Sequence, residues 1–279
     1  MIPLIVCGAS GRMGRMLIQA VSETPGVRLA AAIERPGTAE LGRDAGALVG
    51  LAPLGVVLSD DLGAALGLAR GGCIIDFTAP AATEAAAALC AQAGVGMVVG
   101  TTGLGDSARA ALERASAAVP VLVAANFSLG VNVLLGLAEQ AARLLEGFDM
   151  EVVEIHHGKK RDAPSGTALR LAEALADGRG QKLSEAGVYA RQGDVGPRTP
   201  GEIGVMALRG GDVVGEHTAF LFGPGERVEL THRATSRTTF AHGAVRAGRW
   251  LAGKPAGRYD MRDVLGLGGA AAAPGRPGA

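Results

Sequence analysis

Apolar positions along this chain fall into two textures. In the first, short apolar runs alternate with stretches at helical spacing. Ile2–Cys7 is a continuous apolar run of strand length that enters a glycine-rich turn. A helix is predicted over Gly14–Ser22, with Met13, Met16, Leu17 and Ala20 on its apolar face. A second strand follows at Val27–Ile33, and others at Val56–Leu58, Cys73–Phe77, Gly96–Val99 and Val121–Ala124. Ala-rich segments at 80–93 and 106–118 read as helices between them. Strand alternating with helix predicts an α/β domain, a Rossmann-like doubly wound parallel sheet.

After residue 126 the pattern changes. A long helix, Gly130–Leu145, leads to an alternating strand, Met150–His156, then a highly charged loop and a helix over about Ser165–Ala176. Residues 178–200 are rich in Gly, Arg and Pro and read as a loop. Segments 202–208, 212–222 and 226–232 read as antiparallel strands, joined by turns at Arg209-Gly210-Gly211 and Gly223-Pro224-Gly225. This predicts a second, α+β domain around a mixed or antiparallel sheet. A terminal helix, Phe240–Ala252, is expected to return to the first domain, giving domains 1–126 with 238–279, and 127–237. The low-complexity tail from Gly266 is expected not to fold.

Composition narrows the function classes. Lys+Arg and Asp+Glu balance at 27 each, so no overall field favours nucleic acid or an anionic membrane, and any anion selectivity must be local. Cys7, Cys73 and Cys90 sit in apolar runs with no CxxC pair and no metal-ligand spacing, which argues for a reducing compartment. The opening MIPLIVCGAS is too short and lacks the basic start of a signal peptide, and no window reaches transmembrane length. A cytoplasmic protein is expected.

Two places carry chemistry. The turn after the first strand reads Gly8-Ala9-Ser10-Gly11-Arg12-Met13-Gly14, a GxxGxxG spacing rather than GxGxxG. Small residues there let backbone N–H groups approach a pyrophosphate at a helix N-terminus. Among 44 glycines a lone match is weak, but this one follows a strand, opens a helix, and has the acidic Glu34 twenty positions after Gly14. A carboxylate at Glu34 accepts from ribose hydroxyls and repels a 2′-phosphate, whereas Arg35 can pair with that phosphate or stack on adenine. NADH and NADPH both stay open.

The second place is Glu154-Ile155-His156-His157-Gly158-Lys159-Lys160-Arg161-Asp162-Ala163-Pro164-Ser165-Gly166-Thr167. Paired histidines and several cations between a strand and a helix suit an anionic substrate that also needs protons moved. Ser165, Gly166 and Thr167 open a helix whose first N–H groups, with the Thr167 hydroxyl, can hold a carboxylate. A Lys-Lys-Arg run alone would be a solvated loop. A histidine pair alone would be structural or metal-binding, but no further ligands stand at fitting spacing.

Together with Asp76-Phe77-Thr78, Gly100-Thr101-Thr102-Gly103, Ala125-Asn126-Phe127-Ser128 and the segment 215–251, these motifs resemble the 4-hydroxy-tetrahydrodipicolinate reductase family from residue 4 to about 265. The resemblance implies His156 as proton donor or acceptor, Lys160 as proton donor, and His157 with Gly166 and Thr167 as holders of substrate carboxylates. It implies cofactor contacts from Gly8, Ala9, Ser10, Gly11, Arg12, Met13, Glu34, Arg35, Gly100, Thr101, Thr102, Ala124, Ala125, Asn126 and Phe127. It further implies NADH or NADPH as cofactor, a dicarboxylate substrate, no resident metal, and homotetramers formed through the second sheet. Arg237 also matches, though an ion pair at the domain junction is an equal reading. Two rivals remain: another dinucleotide-dependent dehydrogenase of similar architecture, which should lack the HHxxK-DAPSGT stretch, and a non-catalytic dinucleotide sensor, which would have no use for His156 and Lys160.

Overall fold

The buried aliphatic runs of the first texture become β1 (Ile2–Cys7), β2 (Val27–Ile33), β3 (Leu58–Ser59), β4 (Cys73–Asp76), β5 (Gly96–Val99) and β6 (Pro120–Val123). Between them lie α1 (Arg12–Glu23), α2 (Ala45–Leu48), α3 (Leu62–Leu66), α4 (Pro80–Ala93) and α5 (Asp106–Ser116). The coordinates are a computed structural model that describes residues 1–267. The second texture forms α6 (Leu129–Leu144), β7 (Asp149–His156), α7 (Gly166–Gly178), α8 (Leu183–Ala186), β8 (Gly187–Val188), β9 (Ile203–Arg209), β10 (Gly215–Gly223) and β11 (Glu226–Ala234). The chain then adds α9 (Thr238–Leu251), β12 (Gly257–Tyr259) and α10 (Met261–Leu265). The expectation for the tail beyond Leu267 lies outside the described residues.

Two units result, Met1–Phe127 with the segment from Thr238 on, and Ser128–Arg237. The first division falls one residue later than the expected 126, for a packing reason. The buried Phe127 ring lies 5.2 Å from Phe77, and α9 crosses the Phe127 carbonyl so closely that only a glycine, Gly243, fits there.

In the first unit the sheet order is β12-β6-β5-β4-β1-β2-β3, with parallel pairing throughout. The order reverses between β1 and β4, and the crevice at the carboxyl ends of these strands is where open α/β sheets take ligands. The α1 face matches the expected one in part: Leu17 and Ala20 are buried, together with Gly14, Ile18 and Val21, while Met13 and Met16 are only half-buried. Gly14 is pressed against the turn backbone, and this close approach sets the rotation of the helix. The short elements β12 and α10 at the sheet edge carry no periodicity that sequence could reveal.

The second unit holds a mixed sheet, β11-β10-β7-β9-β8. Segment 202–208 was expected to be antiparallel to its successor. It does run opposite to β10, but the two do not pair: β9 lies parallel to β7 and β8, and β7 sits between β9 and β10. The connection after Arg209 is therefore not a hairpin but an arch over the end of β7. There Gly210 N–H donates to the His156 carbonyl (2.9 Å), and His157 N–H to that of Val213 (2.8 Å). The expected loop at 178–200 also contains α8 and β8. Its arginines hold it down: Arg191 pairs with Glu151 and Glu202 at 2.7 Å, and Arg198 with Asp149 at 2.7 Å. Met150, Val152, Ile203, Val205, Ala219 and Leu221 face α6 and α7 and form the core. That face also carries Glu154 and His156, two and four residues further along the same side of β7.

Candidate active site

In the first unit the turn after β1 is tight because its glycines are required. Gly8 has φ +72°, which favours glycine, and a Cβ there would meet the Thr78 methyl at 3.0 Å. A Cβ on Gly14 would overlap the Gly8 carbonyl, and one on Gly100 would overlap the Phe77 ring. At these positions the protein's own atoms leave no room for a side chain, and the close turn that results at the start of the twelve-residue α1 fits a backbone-bound pyrophosphate. Glu34, just past β2, reaches back into this turn. Its carboxylate accepts from the Ser10 N–H (2.9 Å), the Ser10 hydroxyl (2.7 Å) and the Arg35 N–H (3.0 Å). Partial burial raises its pKa, but those hydrogen bonds and the Arg35 charge outweigh burial and hold it below the ordinary value. Arg12 and Arg35 are both exposed at this rim.

Ala9 and Phe127 are buried, so contacts from them to a ligand would be main-chain only. Thr101 likewise turns its hydroxyl inward, accepting from the Thr78 N–H (3.1 Å) and bonding Thr83 (2.9 Å). Beneath both loops lies Asp76, which takes the hydroxyls of Thr78 (2.5 Å) and Thr83 (2.6 Å). Its burial raises its pKa despite these donors. Gly100 N–H bonds the Asp76 carbonyl (2.8 Å) and Ala124 N–H that of Val99 (3.1 Å), which ties these strand-end loops to the sheet. Thr102 and Ala125 are exposed, with Asn126 half-buried between Ala125 and Phe127.

In the second unit the charged stretch closes on itself. His156 Nδ1 lies 2.5 Å from a Glu154 oxygen. Glu154 is fully buried (0% exposed), yet it also accepts a two-pronged bond from Arg209 (2.8 and 2.9 Å) and the Ser165 N–H (2.9 Å). Burial raises the Glu154 pKa, but Arg209, His156 and Ser165 together bring it below the ordinary value, so it is a carboxylate. Lys160 Nζ, with its side chain 19% exposed, holds both oxygens of Asp162 at 2.9 and 2.8 Å. That pairing pulls the Asp162 pKa down. His157 Nε2 is 3.4 Å from Arg237, which therefore sits beside the candidate site and within the same unit. His157 Nδ1 is buried with no partner.

Ser165 departs from the expectation of a ligand contact. Its side chain is buried (2% exposed) and caps α7, accepting from Ala168 N–H (3.1 Å) and bonding His217 Nε2 (3.1 Å). Gly166 and Thr167 thus form the presented start of α7. Three residues of this cluster, Glu154, Arg209 and His217, were assigned no role from sequence. A signal for one of them existed: alternation along β7 puts Glu154 on the buried side with Met150, Val152 and His156, and a buried carboxylate needs a cation. Arg209 and His217 arrive by strand pairing, which sequence does not disclose. Among the described residues no cluster of three His, Cys, Asp or Glu side chains is arranged to hold a metal ion, and no helix is long and apolar enough to cross a membrane.

Comparison with known proteins assigns both units to one family. Sequence profiles for the N-terminus and the C-terminus of dihydrodipicolinate reductase match residues 2–127 and 130–265. The chain belongs to the dihydrodipicolinate reductase family. The 4-hydroxy-tetrahydrodipicolinate reductase of Anaeromyxobacter dehalogenans strain 2CP-1 is 53% identical over 96% of this chain and 99% of its own. That of Halorhodospira halophila is 54% identical over 94% and 98%. In three dimensions, a dipicolinate-bound dihydrodipicolinate reductase from Paenisporosarcina sp. TG-14 superposes with TM-score 0.75 at 23% identity, covering 93% of this chain and 97% of that one. An amine dehydrogenase from Mycobacterium smegmatis shares the fold at TM-score 0.59 and 15% identity. The chain is thus an NADH- or NADPH-dependent oxidoreductase of the dihydrodipicolinate reductase family, with the dinucleotide cradle in its N-terminal unit.

Proposed function

We propose that the chain reduces 4-hydroxy-tetrahydrodipicolinate to tetrahydrodipicolinate, a step of lysine and diaminopimelate biosynthesis, with His156 and Lys160 as the proton-handling groups. The observation that carries the assignment is His156, anchored by a buried carboxylate beside the start of α7, with Arg209 tying that carboxylate to the loop that carries the Lys160–Asp162 pair. When bound, the nicotinamide supplies the hydride. The Gly8–Met13 turn holds the pyrophosphate, Glu34 and Arg35 the adenosine ribose and its substituent, and the Gly100–Thr102 and Ala124–Phe127 loops the nicotinamide end. His157, with Arg237 beside it, and the Gly166–Thr167 amides hold the two carboxylates of the substrate. Lys160, paired with Asp162, protonates the departing 4-hydroxyl or the ring carbon next to the hydride acceptor. His156 exchanges the other proton through the ring nitrogen that Glu154 leaves free.

A homotetramer built on the second sheet accords with its coverage: α6 and α7 pack on one face, while Phe220 and Phe222 stack at 5.7 Å and Leu208 is exposed. Three buried thiols accord with a cytoplasmic setting. The deciding experiment is a coupled assay with enzymatically generated substrate, following nicotinamide absorbance. Lys160→Ala and His156→Ala should each lower kcat by ~10²–10⁴-fold with dinucleotide affinity intact. His157→Ala should mainly raise KM. Turnover near wild type in Lys160→Ala would remove it from the chemistry, and sedimentation at monomer mass would remove the tetramer.

A further inference from the structure

We propose that Glu154 and Arg209 are positioning residues for the reaction: Glu154 fixes the proton of neutral His156 on Nδ1, so that Nε2 is the atom that meets the substrate, and Arg209 holds Glu154 in place to do so. The inference rests on His156 as the proton-exchanging group and adds what sets its tautomer. The geometry leaves one solution. A carboxylate only accepts, so a hydrogen bond between Glu154 and His156 must take its proton from the imidazole nitrogen. Oε1 receives the Ser165 N–H and one Arg209 N–H, while Oε2 receives the other Arg209 N–H and faces His156 Nδ1. A 2.5 Å approach of Nδ1 to that oxygen requires the proton on Nδ1.

The opposite ring edge is kept clear. Nε2 points toward Gly215 at the start of β10, where a Cβ would stand 2.9 Å away. The edge-to-face neighbour His217, at 5.1 Å between ring centroids, is buried and bonded to Ser165, so it holds the imidazole plane without competing for Nε2. Arg209 is paired with His156 in the β7–β9 register and also bonds the Asp162 carbonyl (2.6 Å). It therefore locks the carboxylate to the loop that carries Lys160. Without that fork, Glu154 would be a buried, poorly compensated charge.

The test is a tautomer measurement. In the neutral imidazole of His156, ¹⁵N NMR of the wild-type enzyme should find Nδ1 protonated and Nε2 bare; a proton on Nε2 overturns the proposal without any variant. Glu154→Gln then makes a sharper demand. An amide NH₂ at the Oε1 position would face two donors, so it turns to the Oε2 position and donates to Nδ1, which moves the His156 proton to Nε2. Expected results are that inverted ¹⁵N pattern, kcat lower by ~10²–10⁴-fold, and substrate KM and dinucleotide affinity unchanged. Glu154→Gln with wild-type kcat overturns the inference. If His156→Ala is impaired beside an unimpaired Glu154→Gln, this inference alone fails; if His156→Ala itself turns over at the wild-type rate, the catalytic assignment beneath it fails as well.

Discussion

His217 makes acid stability a measurable property of the second unit. It is 4% exposed, its Nε2 is spent on Ser165, and its Nδ1 is buried without a partner. Burial above all, then the nearby His156, push its pKa from 6.5 down to about 4. The unfolded chain takes up this proton near pH 6.5, whereas the folded chain refuses it until about pH 4. Folding stability is therefore unaffected by this group above 6.5 and is lost as pH falls through the window from 6.5 to about 4, by about 3 kcal/mol in all. His217→Gln keeps a hydrogen-bonding partner for Ser165 but cannot titrate. Urea unfolding of both proteins by far-UV circular dichroism, repeated across this pH range, isolates the effect, because titrating groups not coupled to His217 cancel in the difference. The stability of wild type relative to His217→Gln should drop by about 3 kcal/mol on acidification. A difference that stays flat with pH, or that moves in the wild type's favour, refutes the reasoning.

Three further outcomes are expected. Ser165→Ala removes the α7 cap and leaves His217 with neither nitrogen satisfied, so unfolding free energy should fall by about 2–4 kcal/mol while Ser165→Thr retains most of it; denaturant midpoints decide. Gly14→Ala drives a methyl into the Gly8 carbonyl and the Ala9 backbone, so nicotinamide fluorescence titration should show dinucleotide binding weakened at least tenfold, about 1.4 kcal/mol, and an unchanged affinity would contradict the cradle. Arg35→Ala should cost NADPH about 1.5–3 kcal/mol relative to NADH, and Glu34→Ala should show the opposite bias; equal losses for both cofactors would confine Arg35 to stacking on adenine.

What the sequence by itself determined were the features whose cause is local. Apolar runs of strand length placed β1, β2 and β5 at their observed limits, and the Ala-rich run 80–93 placed α4, which the structure shows opening on Pro80 and ending at a left-handed Gly94. The glycine turn with Glu34 was legible because both lie within one strand–helix–strand unit, and His156 with Lys160 ahead of a capped helix because they lie within one strand–loop–helix unit. Tertiary structure decided what depends on which strands lie side by side. Periodicity gives the face of a strand but not its neighbour, so β9 read as one strand of an antiparallel run although it pairs parallel to β7. The same limit hid Arg209, 55 residues from Glu154, and His217, 52 residues from Ser165. It also concealed that Ser165 faces inward, since whether a hydroxyl caps its own helix or meets a ligand depends on what packs over it. Chemistry-bearing residue types can be read from composition and spacing. Their protonation, partners and direction follow from a register set by the burial of the whole sheet, and no local pattern encodes that register.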